Sequence, residues 1–231
     1  RSTPTIVDDI LYFGDCEGVI YAVDLITNTL IWSSRTWTGE HYDNFAGIVS
    51  HVEVGENLVY YGARNQTIKA LFKSNGAEAW SYTSPDGGWI SGDPIIHGEY
   101  MLIGGSDNHK MICFNASSGE YLWDFEFPGN CFSKPIIVNN KIVFTTGNAY
   151  ANNGINSGRG FIHALNLPEG NLFNEQELPG NVFSSPVLYN GHFYVGCDNK
   201  NLYALDGLLL AGIETNSISH LEIQNGNLPL T

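Results

Sequence analysis

Few of the residues able to do chemistry stand at spacings that chemistry uses. The four cysteines are Cys16, Cys113, Cys131 and Cys197. No CxxC pair occurs, so a zinc site is not indicated. The seven histidines form no HxH or HxxxH pair. Ser184-Ser185-Pro186 offers hydroxyls, but a nucleophile elbow needs GxSxG. Asp15 and Glu17 in "GDCEG" carry charge in what reads as a turn, where such acids serve solubility and turn geometry. Two sequons, at Asn65 and Asn115, would accept a glycan in a secretory route. One run stands apart: "IVFTTGNAYANNGINSGRGFIHALN", residues 142–166, with strand-like ends around a polar centre.

Composition narrows the classes. The 231 residues are 43% apolar and 15% charged, enough to bury a sizeable core and too apolar for general disorder. With 26 glycines and 12 tyrosines, short strands and turns are favoured over helices. The formal net charge is −14, with only 10 Lys and Arg, which argues against binding nucleic acid. No apolar run is long enough to span a membrane. The chain opens at Arg1 without a signal peptide, which reads as a processed product or a fragment.

The elements that must position any site come from a repeat. Five segments align, each with a second apolar run closed by a glycine: Gly14, Gly62, Gly105, Gly147 and Gly196. Their spacings of 48, 43, 42 and 49 residues match a four-stranded propeller blade. Each unit reads as strands A, B, C and D. The A–B turns "DD", "GEN", "GEY", "NN" and "NG" suit hairpins. Strand C carries a small residue at one place (Ala22, Ala70, Cys113, Ala164 and Ala204), which lets neighbours approach closely. Cys113 is there as a small hydrophobe rather than a catalytic thiol. Trp32, Trp80 and Trp123 each follow the strand-C Ile or Met by twelve residues and can dock between blades. Cys131 aligns with Ile90 and Val182 at a core position. Cys16 and Cys197 fall in the B–C loops of blades 1 and 5, where separation at loop tips disfavours a disulfide. His163 takes a packing position on strand C.

"IYAVDLITNTLIW" and "MICFNASSGEYLW" resemble the tryptophan-docking repeat of the PQQ-like, quinoprotein-type β-propellers. The resemblance covers nearly the whole chain and decays at its end. Blade 4 has Asn174 at the Trp position with Phe173 beside it, blade 5 has Glu214, and the residues after Asp206 fit a fourth strand poorly. The expected fold is all-β: one propeller domain over 1–231, with blades at about 1–36, 45–83, 89–127, 130–178 and 181–231. Five blades could close alone or belong to a larger ring.

In up-and-down blades the B–C loops and the D-to-A connectors leave one face. Here that face is elaborated. Gly147 to Ile162 spans fifteen positions against six in the other blades, and the connectors holding "RTWTGEHYDNFAG" and "SPDGGW" are long. Loops on a rigid scaffold carry binding function, so Trp37, His41, Tyr42, Asp43, Trp89, Tyr150 and Arg159 form the candidate ligand surface. The resemblance also implies an alternative. "TTGNAY" is similar to a quinoprotein motif whose Asn supplies an oxygen to Ca²⁺, which would be Asn148. Against it, the adjacent-cysteine pair of PQQ alcohol dehydrogenases is absent, those enzymes resemble eight-bladed rings, and no separate base can be named. The reading is a non-catalytic binding or scaffold propeller without cofactor, taking a protein, glycan or small ligand. It implies a periplasmic, cell-envelope or secreted setting, as for outer-membrane assembly lipoproteins of this repeat type. The alternative is a PQQ- and Ca²⁺-dependent alcohol dehydrogenase, or a fragment of one.

Overall fold

The computed structural model describes residues 2–36, 47–148 and 158–212. Blade 1 is β1 (Thr5–Val7), β2 (Ile10–Gly14), β3 (Val19–Asp24) and β4 (Thr29–Arg35). Blade 2 is β5 (Glu53–Val54), β6 (Leu58–Gly62), β7 (Thr67–Phe72) and β8 (Glu78–Thr83). Blade 3 is β9 (Ile95–His97), β10 (Tyr100–Gly104), β11 (Lys110–Asn115) and β12 (Tyr121–Glu126). Blade 4 is β13 (Ile136–Val138), β14 (Lys141–Gly147), β15 (Gly160–Asn166) and β16 (Leu172–Leu178). Blade 5 holds three described strands, β17 (Val187–Tyr189), β18 (His192–Gly196) and β19 (Leu202–Asp206), followed by the short helix α1 (Gly207–Ala211). In every sheet consecutive strands pair antiparallel. The expected fourth strand of blade 5, with Glu214, lies outside the described residues.

Local sequence explains the hairpins. Asp8-Asp9, Asn139-Asn140 and Asn190-Gly191 all adopt positive φ at both positions, the backbone that two-residue hairpins need. Asp and Asn tolerate it better than bulkier residues do.

Two of the five closing glycines are misplaced in the sequence alignment. At the inner end of four of the five blades a serine hydroxyl accepts the N–H and donates to the C=O of one strand-B residue. The pairs are Ser2 with Gly14, Ser50 with Gly62, Ser133 with Thr145, and Ser184 with Gly196. In blade 3 the Gly92 N–H donates to the Gly104 carbonyl instead. The equivalent residues are therefore Gly104, not Gly105, and Thr145, not Gly147. In blade 4, β14 and β15 each run two residues further, pairing Thr146 with Phe161 and Gly147 with Gly160. Part of the long insertion is thus extra ladder. The glycine is needed where the next connector passes beneath: a Cβ at Gly14 would sit 2.5 Å from Ile48, and one at Gly62 would sit 2.7 Å from Ile90.

The core lies between blades. Four apolar clusters each join one blade to the next. At the rim the interface is polar and specific. Trp32 Nε1–H donates to the Lys73 carbonyl at 2.9 Å, Trp80 to Ala116 at 2.9 Å, and Trp123 to Pro168 at 2.6 Å. Each indole lies against a positive-φ glycine of the next blade, Gly76, Gly119 or Gly170. The small residues Ala22, Ala70 and Cys113 sit directly opposite these tryptophans in the ladder. Asn174 takes the place opposite Ala164 and donates Nδ2–H to Leu209 of α1 at 2.7 Å. Cys113 and Cys131 are buried, and burial pushes both thiols up to about 12. All four cysteines are free.

His163 packs as expected, fully buried among Phe127, Phe144 and Phe161. Its Nε2 lies 3.0 Å from Thr146 Oγ1 and its Nδ1 3.2 Å from Glu175 Oε2, tying the extended hairpin to β16. Desolvation by burial lowers the imidazole from 6.5 to about 4.

Two predictions follow from these contacts. Trp80→Ala costs about 3–5 kcal/mol, and Gly119→Ala about 1–3 kcal/mol from strained φ. The double variant loses less than the sum, because the added methyl no longer meets the ring. Additive losses in a denaturant titration would refute the contact. His163 binds its proton more readily unfolded than folded. Its stabilising share is therefore intact above pH 6.5 and drains as pH falls toward 4, by about 3 kcal/mol. The wild type should show this extra slope relative to His163→Phe in unfolding curves. Parallel profiles would contradict it.

Candidate functional site

Backbone bonds bring the B–C loops and the D-to-A connectors together on one face. Ile48 N–H donates to Asp15, Ile90 to Ala63, Ser106 to Trp89, and Asp198 to Asn181. On this face a cavity of about 330 Å³ is lined by Thr3, Val49, Arg64, Trp89, Ser91, Asp93 and Phe132. Three connectors, one B–C loop and the segment before β1 build it.

The Arg64 guanidinium lies over the Trp89 ring, 4.5 Å from its centroid. Its Nε is buried and has no hydrogen-bond partner among the described residues. Such stacking is attractive but leaves donors for an incoming acceptor. On the cavity wall, Asp93 accepts the His51 backbone N–H at 2.6 Å. Burial raises its carboxyl above the usual range, partly offset by that bond. Behind it, Glu53 Oε2 meets His51 Nε2 at 3.2 Å and Lys134 Nζ at 2.7 Å. Burial would raise Glu53, but these two partners prevail and hold it low. The inner strand starts of blades 2, 3 and 4 are thus linked by charge.

A second cavity, of about 500 Å³, includes Asp86, Lys110 and Glu126. There Lys110 already meets Asp86, Asp124 and Glu126 within 3.6 Å, so its charge is matched locally.

Of the sequence-derived surface, Trp89 lines the first cavity. Arg159 instead pairs with Glu177 at 3.2 Å on blade 4 and is largely exposed. Trp37, His41, Tyr42, Asp43 and Tyr150 lie outside the described residues. Sequence reasoning missed Arg64 and Asp93. The signal for Arg64 was a cation in a B–C loop, in a chain with 24 acids and 10 bases. The Asn115 sequon is occupied structurally: its Oδ1 accepts from Ser117 and Ser118 backbone N–H groups in the C–D turn.

Asn148 does not line the cavity. Its N–H donates to Asn181 Oδ1, and Asn181 in turn donates to both carboxylate oxygens of Asp198, at 2.8 and 2.7 Å. Calcium wants several free oxygens, carboxylates foremost. The one carboxylate on this path is committed to Asn181. Among the described residues no cluster of three His, Cys, Asp or Glu is set to hold a metal. Among the described residues, the donor set around Asn148 does not fit the calcium that quinoprotein chemistry would require.

Comparison with known proteins places the repeat. The chain is 24% identical over 208 residues to the outer membrane protein assembly factor BamB of Legionella pneumophila, covering 88% of this chain and 50% of that protein. It is 29% identical over 149 residues to the quinohemoprotein alcohol dehydrogenase of Comamonas testosteroni, covering 58% of this chain and 21% of that one. Among solved structures, a europium-containing methanol dehydrogenase superposes with a TM-score of 0.74 at 14% identity, over 90% of this chain and 49% of that one. The chain thus spans half or less of these proteins. The model of the family described as outer membrane protein assembly factor BamB matches residues 16–109 and 64–156, more than half of the chain. The chain belongs to this family of PQQ-like repeat β-propellers.

Proposed function

We propose that this propeller is a non-catalytic binding scaffold that takes a protein partner on its loop-rich face, in the setting of a bacterial cell envelope. The observation that carries the reading is Arg64: stacked on Trp89, in a cavity, with a buried and unpartnered Nε. A guanidinium so held is suited to a carboxylate, from an acidic side chain or a free C-terminus, with the indole packing against its stem. Kinship with proteins named as assembly factors supports a protein partner over a glycan. An alcohol dehydrogenase relative keeps the quinoprotein reading in view, but the committed Asp198 weighs against it.

The test uses short acidic peptides with free C-termini, read by tryptophan fluorescence. Binding should weaken at least tenfold in Arg64→Ala, about 1.4 kcal/mol, and comparably in Trp89→Ala. Unchanged affinity in both variants, or in a Trp37, Tyr42 and Trp89 triple alanine variant, would remove this face as the site. A separate arm adds PQQ and Ca²⁺. Stoichiometric uptake with bound-quinone absorbance, lost in Asn148→Ala, would replace the scaffold reading with the dehydrogenase one.

A further inference from the structure

The cavity that holds Arg64 also holds a charge of the opposite sign. Arg64 and Asp93 both line it, one from a B–C loop and the other from the connector that enters blade 3. Among the described residues the two do not pair with each other. Arg64 is stacked on the Trp89 ring, and Asp93 Oδ1 accepts the His51 backbone N–H at 2.6 Å. No hydrogen bond to Asp93 Oδ2 is made among the described residues. One cavity thus offers a cation and an anion, each held by its own element and each with bonding capacity left.

The place of Asp93 at the hub sets it apart. It follows Gly92, which stands in blade 3 where the other blades have the hub serine. Its counterparts after those serines are Thr3, His51, Lys134 and Ser185. Neighbours in this set touch: His51 N–H donates to Asp93, and Lys134 N–H donates to Ser185 Oγ at 2.8 Å. His51 and Lys134 both pair with Glu53. Asp93 is therefore the charged member of the set without an ion pair among the described residues, and burial already disfavours its anion. The residues just before the hub positions, Val49, Ser91 and Phe132, form part of the cavity lining. Val49 and Phe132 make that part of it apolar.

We propose that the cavity selects a C-terminal residue with a cationic side chain, its carboxylate on Arg64, its side-chain cation on Asp93 and its methylene stem along Val49 and Phe132. This rests on the reading of Arg64 as the receptor of a carboxylate. A purely acidic segment would satisfy Arg64 and bring its second anion toward Asp93. A neutral C-terminal residue would strip water from Asp93 and supply no partner, which is costly for a charge. A basic C-terminal residue answers both groups at once. Its stem packs on apolar surface while its head stays polar, as long cationic side chains do.

The test compares three short acetylated peptides on the full chain by tryptophan fluorescence. One ends in lysine as the free acid, one ends in norleucine as the free acid, and one is the lysine peptide as its amide. Norleucine keeps the stem and lacks the charge. The lysine acid should bind about tenfold more tightly than either of the others. Asp93→Asn keeps an oxygen for the His51 N–H. It should erase the preference for lysine over norleucine and leave norleucine binding within about twofold. Arg64→Ala should weaken both free acids. Equal binding of the two acids, both lost in Arg64→Ala, would overturn this inference and leave the carboxylate reading standing. Equal weakening of both acids in Asp93→Asn would make Asp93 a structural residue, which also overturns it. Binding of either lysine peptide that ignores Arg64→Ala, or no binding by any peptide, would remove both readings.

Discussion

The contact on which the rest depends is an indole laid on a left-handed glycine of the next blade. Trp32, Trp80 and Trp123 each make it, and each adds a hydrogen bond to a neighbouring backbone carbonyl. A ring against bare backbone has one seating, because any Cβ at Gly119 would fall 2.6 Å from Trp80. The rim of one blade is thereby registered to the next. The serine brackets do the equivalent at the hub, by fixing where strand B ends relative to the incoming chain. Between these two pins the packing is mainly apolar, which is strong but tolerant of sliding. Position is set by the polar ends and stability by the apolar middle. In a stack of repeats each interface acts locally. The blade 4–5 junction, with Asn174 in place of a tryptophan, keeps the hydrogen bond and lacks the ring.

This arrangement frees the loop face from structural duty. The connectors that enter each blade are already bonded to the preceding B–C loops through backbone groups. Their side chains are left to vary. Arg64 and Trp89 use that freedom: their backbones belong to the repeat and their side chains form a cavity wall. The long hairpin of blade 4 has a different basis. Extra ladder pairs and the contacts that run from buried Thr146 and His163 to the exposed Glu175 support the start of the insertion, so the insertion begins as sheet.

The repeat was legible because its strongest signals are steric. A small residue must face each tryptophan, and the Ala22, Ala70, Cys113 series marks that place without any structure. The hairpin turns were legible for the same reason, since Asp-Asp and Asn-Asn announce a left-handed backbone. Glycine proved a weaker marker. Gly104 and Gly105 are adjacent, and only the hydrogen bond from Gly92 separates them. Thr145 was hidden because blade 4 keeps strand-like alternation past it, and a ladder two residues longer looks the same in sequence. The site was less legible still. Trp89 was found as an aromatic in a long connector, but its partner Arg64 comes from another blade element. Nothing local links residues whose proximity arises only when connector and loop are bonded across the face.

If the loop face binds as proposed, charge would give it its selectivity. At the hub, Lys134 and His51 are absorbed by Glu53, and at the second cavity three carboxylates surround Lys110. Among the described residues Arg64 meets an aromatic ring, and no carboxylate pairs with it. In a chain of net charge −14, an acidic partner meets long-range repulsion almost everywhere. That repulsion is screened within about 8–10 Å at physiological salt, while a guanidinium in a cavity is screened far less. Under the proposed function, the acidic surface would disfavour loose, misplaced encounters, and the cavity would reward the one approach that buries a carboxylate. Specificity would then rest on the contrast between surface and cavity rather than on the strength of a single ion pair.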